Sequence, residues 1–332
     1  MMNSTSLIIT SIASPNEVLK KYANECAKRK INFILIGDVS SPKKFNLPGC
    51  RFLGMEEQKK TGLRIVKKLP ERHYSRKNIG YLLAHKNKSE LIIETDDDNF
   101  PKEKFWEKRE EFPSAFSIKN SGWINVYSYF TDKHIWPRGM PLECLQNRNP
   151  ALGKTTPEKI YCPIQQGLAD ENPDVDAVFR LVEKLPFTFE KKVRVALGKN
   201  TWSPFSSQNT TWLKKAFPLM YLPSYASFRM TDIWRSFIAQ RIAWANDWSV
   251  LFHEPTVTQT RNDHNLLKDF EDEIPGYLQN HKITMLLQSL KLKKGEKYLS
   301  ENLFTCYHSL VQNKILPEKE LFLVDDWIND LI

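Results

Sequence analysis

Glu90-Leu91-Ile92-Ile93-Glu94-Thr95-Asp96-Asp97-Asp98-Asn99 decides how the rest of the chain is read. Its apolar run is a short strand, and it runs directly into three adjacent carboxylates. Such neighbours repel, so each is costly to ionise beside the others. A divalent cation that prefers hard oxygen ligands, Mn2+ or Mg2+, removes that cost. On an extended backbone Asp96 and Asp98 point the same way, so both reach one ion while Asp97 faces elsewhere. A solvated acidic turn or a helix cap would use the same residues. The position at the carboxyl end of a strand favours a ligand site, because open α/β sheets gather ligands there.

Upstream, Leu7–Ile12 is β-rich and closes on Ser14-Pro15-Asn16, where Ser and Asn suit a helix cap. Val18, Leu19, Tyr22, Ala23 and Cys26 then recur at helical spacing among lysines, and Ile31–Ile36 is a buried strand ending in Gly37-Asp38. Strand, helix, strand is a right-handed βαβ start. A helix over Lys77–Lys86 follows the basic turn Tyr74-Ser75-Arg76-Lys77-Asn78. Downstream, Asn125–Tyr129 has the pattern of a strand, Thr231–Trp244 that of a helix, and Val250-Leu251-Phe252 that of a last strand, followed at once by His253-Glu254-Pro255. Residues 261–332 read as amphipathic helices. No repeat or low-complexity segment interrupts this order.

The 332 residues are 41% hydrophobic and 26% charged, enough to bury a substantial core. The formal charge of +9 is uneven: residues 261–332 hold nine Lys/Arg and twelve Asp/Glu, whereas 1–260 hold 39 and 27. A basic body suits a nucleic acid, an anionic membrane surface or a nucleotide diphosphate. The basic residues come in scattered pairs without a nucleic-acid motif, so no nucleic-acid partner is expected. Five widely spaced cysteines without a C-x-x-C pair exclude a zinc or disulfide framework and suit a reducing, cytoplasmic setting. The apolar run near the amino terminus is too short for a transmembrane segment and lacks the basic residues of a signal peptide. Peripheral contact with the inner face of a membrane and homo-oligomer formation both stay open.

Arg76 and Lys77 precede a helix one element before the aspartates, where a diphosphate needs positive charge and backbone donors. Ordinary surface charge is the competing reading. Asp38 can accept a hydrogen bond from a ribose or base, and it can equally just end its strand. Thr10 in the first strand and Asn78 beside Lys77 complete the candidate nucleotide-sugar contacts, together with Asp96 and Asp97.

Ser75-Arg76-Lys77-Asn78-Ile79-Gly80-Tyr81, then Ile93 to Asn99, then Trp136-Pro137-Arg138-Gly139-Met140-Pro141-Leu142 together resemble the STELLO family of glycosyltransferase-like proteins. The order of motifs matches from about residue 7 to 260. A more distant similarity is to the reversibly glycosylated polypeptides, which include UDP-arabinopyranose mutases. The resemblance implies an α/β fold of the glycosyltransferase A class, Rossmann-like with a mostly parallel central sheet, over 1–260, with 261–332 as a C-terminal helical appendage. It implies that Asp96 and Asp98 bind the metal and diphosphate. In that fold a histidine after a late strand completes the metal shell, and His253 stands in the right order, with His264 a weaker candidate; a structural histidine is the competing reading. Arg138 matches the arginine that the reversibly glycosylated family places against its sugar or modifies. Asp232, at a helix start where the family places an acidic residue near the acceptor, is the candidate base, against a plain helix-dipole role. Asp174 and Asp176, in Pro173-Asp174-Val175-Asp176-Ala177, resemble an acidic stretch of the reversibly glycosylated family and are candidate sugar contacts.

The function expected is metal-dependent transfer of a sugar from a nucleoside diphosphate donor, a UDP-sugar, to a carbohydrate or glycoconjugate acceptor. A nucleotide-sugar mutase or self-glycosylating protein would use the same metal site with Arg138 near the sugar. A non-catalytic scaffold that keeps the fold is the third reading. The family's known plant members are membrane-anchored Golgi proteins, and that location is not carried over.

Overall fold

Apolar strands alternating with one amphipathic helix produce the expected βαβ start. The structure is a computed structural model that describes residues 4–152, 156–260 and 265–332. Its strands are β1 (Thr5–Thr10), β2 (Asn32–Ile36), β3 (Arg51–Leu53), β4 (Leu91–Thr95), β5 (Asn99–Pro101), β6 (Ser114–Ile118), β7 (Gly122–Trp123), β8 (Glu158–Lys159), β9 (Ile164–Asp170), β10 (Arg194–Leu197), β11 (Thr201–Trp202), β12 (Asn209–Leu213) and β13 (Val250–Gln259). Its α-helices are α1 (Glu17–Arg29), α2 (Met55–Lys59), α3 (Lys77–Lys86), α4 (Ala177–Val182), α5 (Thr231–Ala245), α6 (Leu266–Ser289), α7 (Leu299–Gln312) and α8 (Lys319–Asp330).

The sheet runs β3-β2-β1-β4-β12-β9-β13-β10-β6-β8, with β5 paired to β13 and β7 and β11 forming a separate pair. The first four strands are parallel. β12 enters antiparallel between β4 and β9, and β9 and β13 are parallel again. The carboxyl ends of β1, β2, β4, β9 and β13 therefore share one edge, where the aspartate turn stands. Ile8, Ile34 and Ile36 meet α3 on one face, whereas Leu7, Ile9, Leu35 and Ile93 meet α1 on the other. Helix α1 is capped by the Asn16 side chain, which accepts from Leu19 N at 2.8 Å. It buries Val18, Leu19, Tyr22, Ala23 and Cys26, the stripe that the spacing predicts.

The C-terminal helices share a continuous core with the body through Leu303, Tyr307, Leu323 and Trp327. Buried Glu320 of α8 accepts the backbone N–H groups of Ser224 and Tyr225 and the Tyr221 hydroxyl. Asp330 accepts from Arg64 N and Ile65 N at 2.9 and 3.0 Å, which ties α8 to the loop before α3. Among the described residues, no helix is long and apolar enough to cross a membrane. The α/β class, the central sheet and the C-terminal helices are those expected.

Two local expectations change. Asn125–Tyr129 is not a strand: Asn125 caps a 3-10 turn over Val126–Tyr129 by accepting from Tyr127 N. Strand β13 does not stop at Phe252 but runs on to Gln259. A register shift between His253 and Val257 leaves Pro255 in a bulge, where its missing N–H breaks no ladder bond.

Gly80 sits where α3 presses on the sheet. A Cβ there would lie 2.5 Å from Ile8 Cγ2 and 3.2 Å from Ile36 Cγ1. Overpacking of this kind costs about 1–3 kcal/mol, and the better helix propensity of alanine offsets about 1. Gly80→Ala should therefore lower stability by up to about 2 kcal/mol. Urea denaturation would read this as a lower midpoint at unchanged slope; an unchanged midpoint would mean that α3 moves away freely.

Candidate functional site

The three aspartates leave β4 in a tight turn into β5, and each is held by a different neighbour. Lys77, buried at the start of α3, donates from Nζ to Thr95 O at 3.1 Å and to Asp96 Oδ1 at 2.9 Å. Asp97 accepts from the Ser11 hydroxyl just past β1, and its carbonyl accepts from Asn16 Nδ2 at 2.9 Å. Asp98 Oδ2 accepts from Gln259 Nε2 at 3.0 Å, and its carbonyl accepts from Thr260 N at 3.0 Å. Side chains from the end of β1, the cap of α1, the start of α3 and the end of β13 thus converge on one acidic turn. Burial raises the Asp96 carboxyl above its ordinary value against the pull of Lys77, and does the same to Asp97 against Ser11. The nearby Asp232 carboxylate pushes Asp96 up further.

Beside this turn, Arg138 lies buried between two carboxylates. Its Nε and Nη2 donate to Asp174 at 2.7 and 2.9 Å, and its Nη1 and Nη2 donate to Asp232 at 3.1 Å each. Nη1 also donates to Arg229 O. Asp232 accepts in addition from the Tyr74 hydroxyl at 3.2 Å and from Ser207 N and Oγ at 3.0 and 3.2 Å. Burial alone would raise the Asp232 carboxyl, but Arg138 and the Ser207 N–H hold it well below the usual carboxylate range. A base needs a free lone pair and a pKa near the working pH. Asp232 has neither, so its expected role as the base is corrected to that of a partner for Arg138. Arg138 is 5% exposed and saturated with acceptors, which removes it as a self-glycosylation acceptor.

Other expectations are also redirected by geometry. Arg76 does not face the aspartates: its Nε and Nη2 donate to Gln58 Oε1, and its Nη1 donates to Leu69 O and Pro70 O. It closes the loop before α3, because a buried guanidinium must spend its donors on whatever acceptors surround it. Asn78 clamps the backbone of Leu222, donating to its carbonyl and accepting from its N–H at 2.9 Å each. Asp176 caps α4 through Phe179 N and accepts from Trp136 Nε1, and burial raises its carboxyl to about 6. Asp38, past the end of β2, accepts from His73 N at 2.9 Å. Thr10 ends β1 opposite Ile36.

His253 is the largest correction. It pairs with Gly167 and Arg194 in the middle of the sheet, level with Thr95 but three strands away. Three strand spacings are roughly 14 Å, beyond any shared coordination shell. The strand end that does reach Asp98 is Gln259, six residues further on; ending the strand at His253-Glu254-Pro255 concealed it. His264 lies outside the described residues. Among the described residues no group of three His, Cys, Asp or Glu is arranged to hold a metal. His253→Gln should accordingly leave the Mn2+ affinity within about twofold, because second-shell or ligand losses cost 10–100-fold. Calorimetric titration of metal in the presence of UDP would check it.

The family model for STELLO glycosyltransferases matches residues 229–332. Probable glycosyltransferase STELLO2 of Arabidopsis thaliana is 27% identical over 325 residues, covering 90% of this chain and 41% of its own length. Probable glycosyltransferase STELLO1 of the same plant is 26% identical over 353 residues, covering 98% and 44%. This chain is similar to STELLO glycosyltransferases. It spans under half the length of those STELLO relatives. The similarity to STELLO proteins extends across the aspartate turn and the C-terminal helices alike. Among solved structures, a mycobacterial protein overlaps with a TM-score of 0.41 at 6% identity, covering 96% of this chain and 76% of that one. Glucosyl-3-phosphoglycerate synthase from Mycobacterium tuberculosis overlaps with a TM-score of 0.40 at 9% identity, covering 84% and 81%.

Proposed function

We propose that this STELLO relative is a metal-dependent glycosyltransferase that moves a sugar from a UDP-linked donor to a carbohydrate or glycoconjugate acceptor. The observation that carries the reading is the acidic turn at the carboxyl edge of the sheet, with Asp96 tethered to a buried lysine and Asp98 to the end of β13. Relationship to proteins named as glycosyltransferases supports the same reading.

The donor set fits Mn2+ or Mg2+. Such ions are commonly held by one or two carboxylates, with substrate phosphates and water completing the shell, so a cage of three protein ligands is not required. Asp96 and Asp98 would hold the ion, and Asp97, turned to Ser11, would brace the turn. When bound, the ion neutralises charge on the departing diphosphate. Lys77 orients Asp96 and adds positive charge beside the diphosphate. Thr10 and Asp38 contact the nucleoside from the ends of β1 and β2. The Asp174–Arg138–Asp232 cluster sets the field on the acceptor side and fixes the start of α5 rather than exchanging a proton.

Thermal unfolding with a panel of nucleotide sugars, with and without Mn2+, tests this. Stabilisation by a UDP-sugar that needs Mn2+ is expected, about 2.7 kcal/mol at a ligand concentration 100 times Kd. No response to any nucleotide sugar would move the chain to the scaffold reading. Release of an isomeric nucleotide sugar without acceptor would identify a mutase.

A further inference from the structure

His253 belongs to a second polar cluster, on the sheet face opposite α3 and well away from the aspartate turn. A cavity of about 160 Å³ opens there between β13, β10 and the segment after β5, lined by Arg109, Arg194, His253, Lys104, Gln165 and Glu254 among others. The carboxylates around it are largely matched: Glu254 pairs with Lys104 at 2.6 Å, and Glu110 with Lys159 at 2.9 Å. Glu107 also lines the cavity but is exposed. Arg109 is different. Its hydrogen bonds go to the carbonyls of Lys104, Phe105 and Glu107, and its buried Nε has no hydrogen-bond partner among the described residues. Glu110 also acts through space on Arg194 and Lys108, which make no ion pair within 4 Å among the described residues. A part-buried guanidinium whose hydrogen bonds go only to carbonyls, with the exposed Glu107 carboxylate as its counter-charge and a second arginine beside it, favours an added anion.

We propose that this cavity is a binding site for a small oxyanion, inorganic phosphate or the terminal phosphoryl group of a monoester, held by Arg109 and Arg194 with His253 alongside. The volume suits one phosphoryl group with water. Arginine's planar fork suits phosphate oxygens, and Gln165 adds a neutral donor. His253 Nδ1 lies 3.0 Å from Glu254 O, which orients the ring. Burial, and then Arg109, Arg194 and Lys104, lower its pKa to about 3. The site is separate from the donor site: occupancy depends on neither Mn2+ nor Asp96.

The test uses the full chain with 13C-labelled histidine, followed by NMR as phosphate replaces chloride at constant ionic strength. A saturable shift of one Cε1–H signal among the seven histidines, lost in His253→Gln, is expected. Arg194→Gln, at an exposed strand start where folding is not at stake, should weaken binding at least fivefold. Glycerol phosphate separates the sources: if it shifts the same signal the site takes phosphoryl esters, and if only inorganic phosphate does so the site is closed to them. A shift equal in chloride, an unchanged affinity in Arg194→Gln, or displacement of phosphate by UDP with Mn2+ would each overturn the proposal.

Discussion

Asp96→Asn should abolish Mn2+-dependent stabilisation by the UDP-sugar and lower turnover at least 100-fold. The size follows from the chemistry: a hundredfold loss corresponds to about 2.7 kcal/mol of transition-state stabilisation. An amide oxygen is a poorer ligand than a carboxylate for a hard cation. The change also leaves Lys77 buried without its carboxylate, although the bond to Thr95 O remains. Some stability should be lost as well, because Lys77 stays fully buried without a counter-charge. Asp98→Asn should act in the same direction. Isothermal titration with Mn2+ and UDP, together with an assay of sugar transfer, separates binding from chemistry. Retained metal dependence in both variants would falsify the assignment of this turn.

Glu94→Ala should have the largest effect on stability, a loss of about 3–5 kcal/mol, the range for removing one partner of a buried ion pair. Glu94 and Arg235 are both buried, and Arg235 donates to the two carboxylate oxygens at 3.0 and 2.8 Å. Trp212 Nε1 donates at 2.8 Å, and the Tyr81 hydroxyl donates as well. One side chain from β4 thereby ties together α3, β12 and α5 immediately before the aspartates. Removing it orphans a guanidinium whose Nε is already without a hydrogen-bond partner among the described residues. The double change Glu94→Met with Arg235→Met should recover much of the loss, since apolar replacement avoids the buried charge. Urea unfolding of the three variants gives the comparison. A single-variant loss below about 1 kcal/mol, the range of exposed pairs, would mean that water reaches the pair.

Several elements were legible because their signal is local. The stripe from Val18 to Cys26, the helix over Lys77–Lys86 and the strand before Asp96 depend on periodicity and capping, which neighbouring residues set. Arg76 and Lys77 show where local reading stops. They are adjacent and equally basic, yet one turns to Gln58 and the other to Asp96. Which acceptors stand within reach depends on the loop over residues 58–70 and on β4, both remote in sequence. Gln259 was missed for a related reason: a neutral amide beyond a proline carries no charge signal, and only the bulge at Pro255 carries β13 far enough to meet Asp98.

By itself the sequence determined the α/β class, the placement of three carboxylates at a strand end and the similarity to STELLO proteins. Periodicity, adjacency and motif order survive in one dimension. The tertiary structure alone decided which charges are spent as struts. Burial strips water from Arg138, Asp232, Arg76 and Asp176 and obliges each to bond to whatever the fold brings near. The same packing leaves Asp96 and Asp98 at the open edge of the sheet and carries His253 three strands away from them.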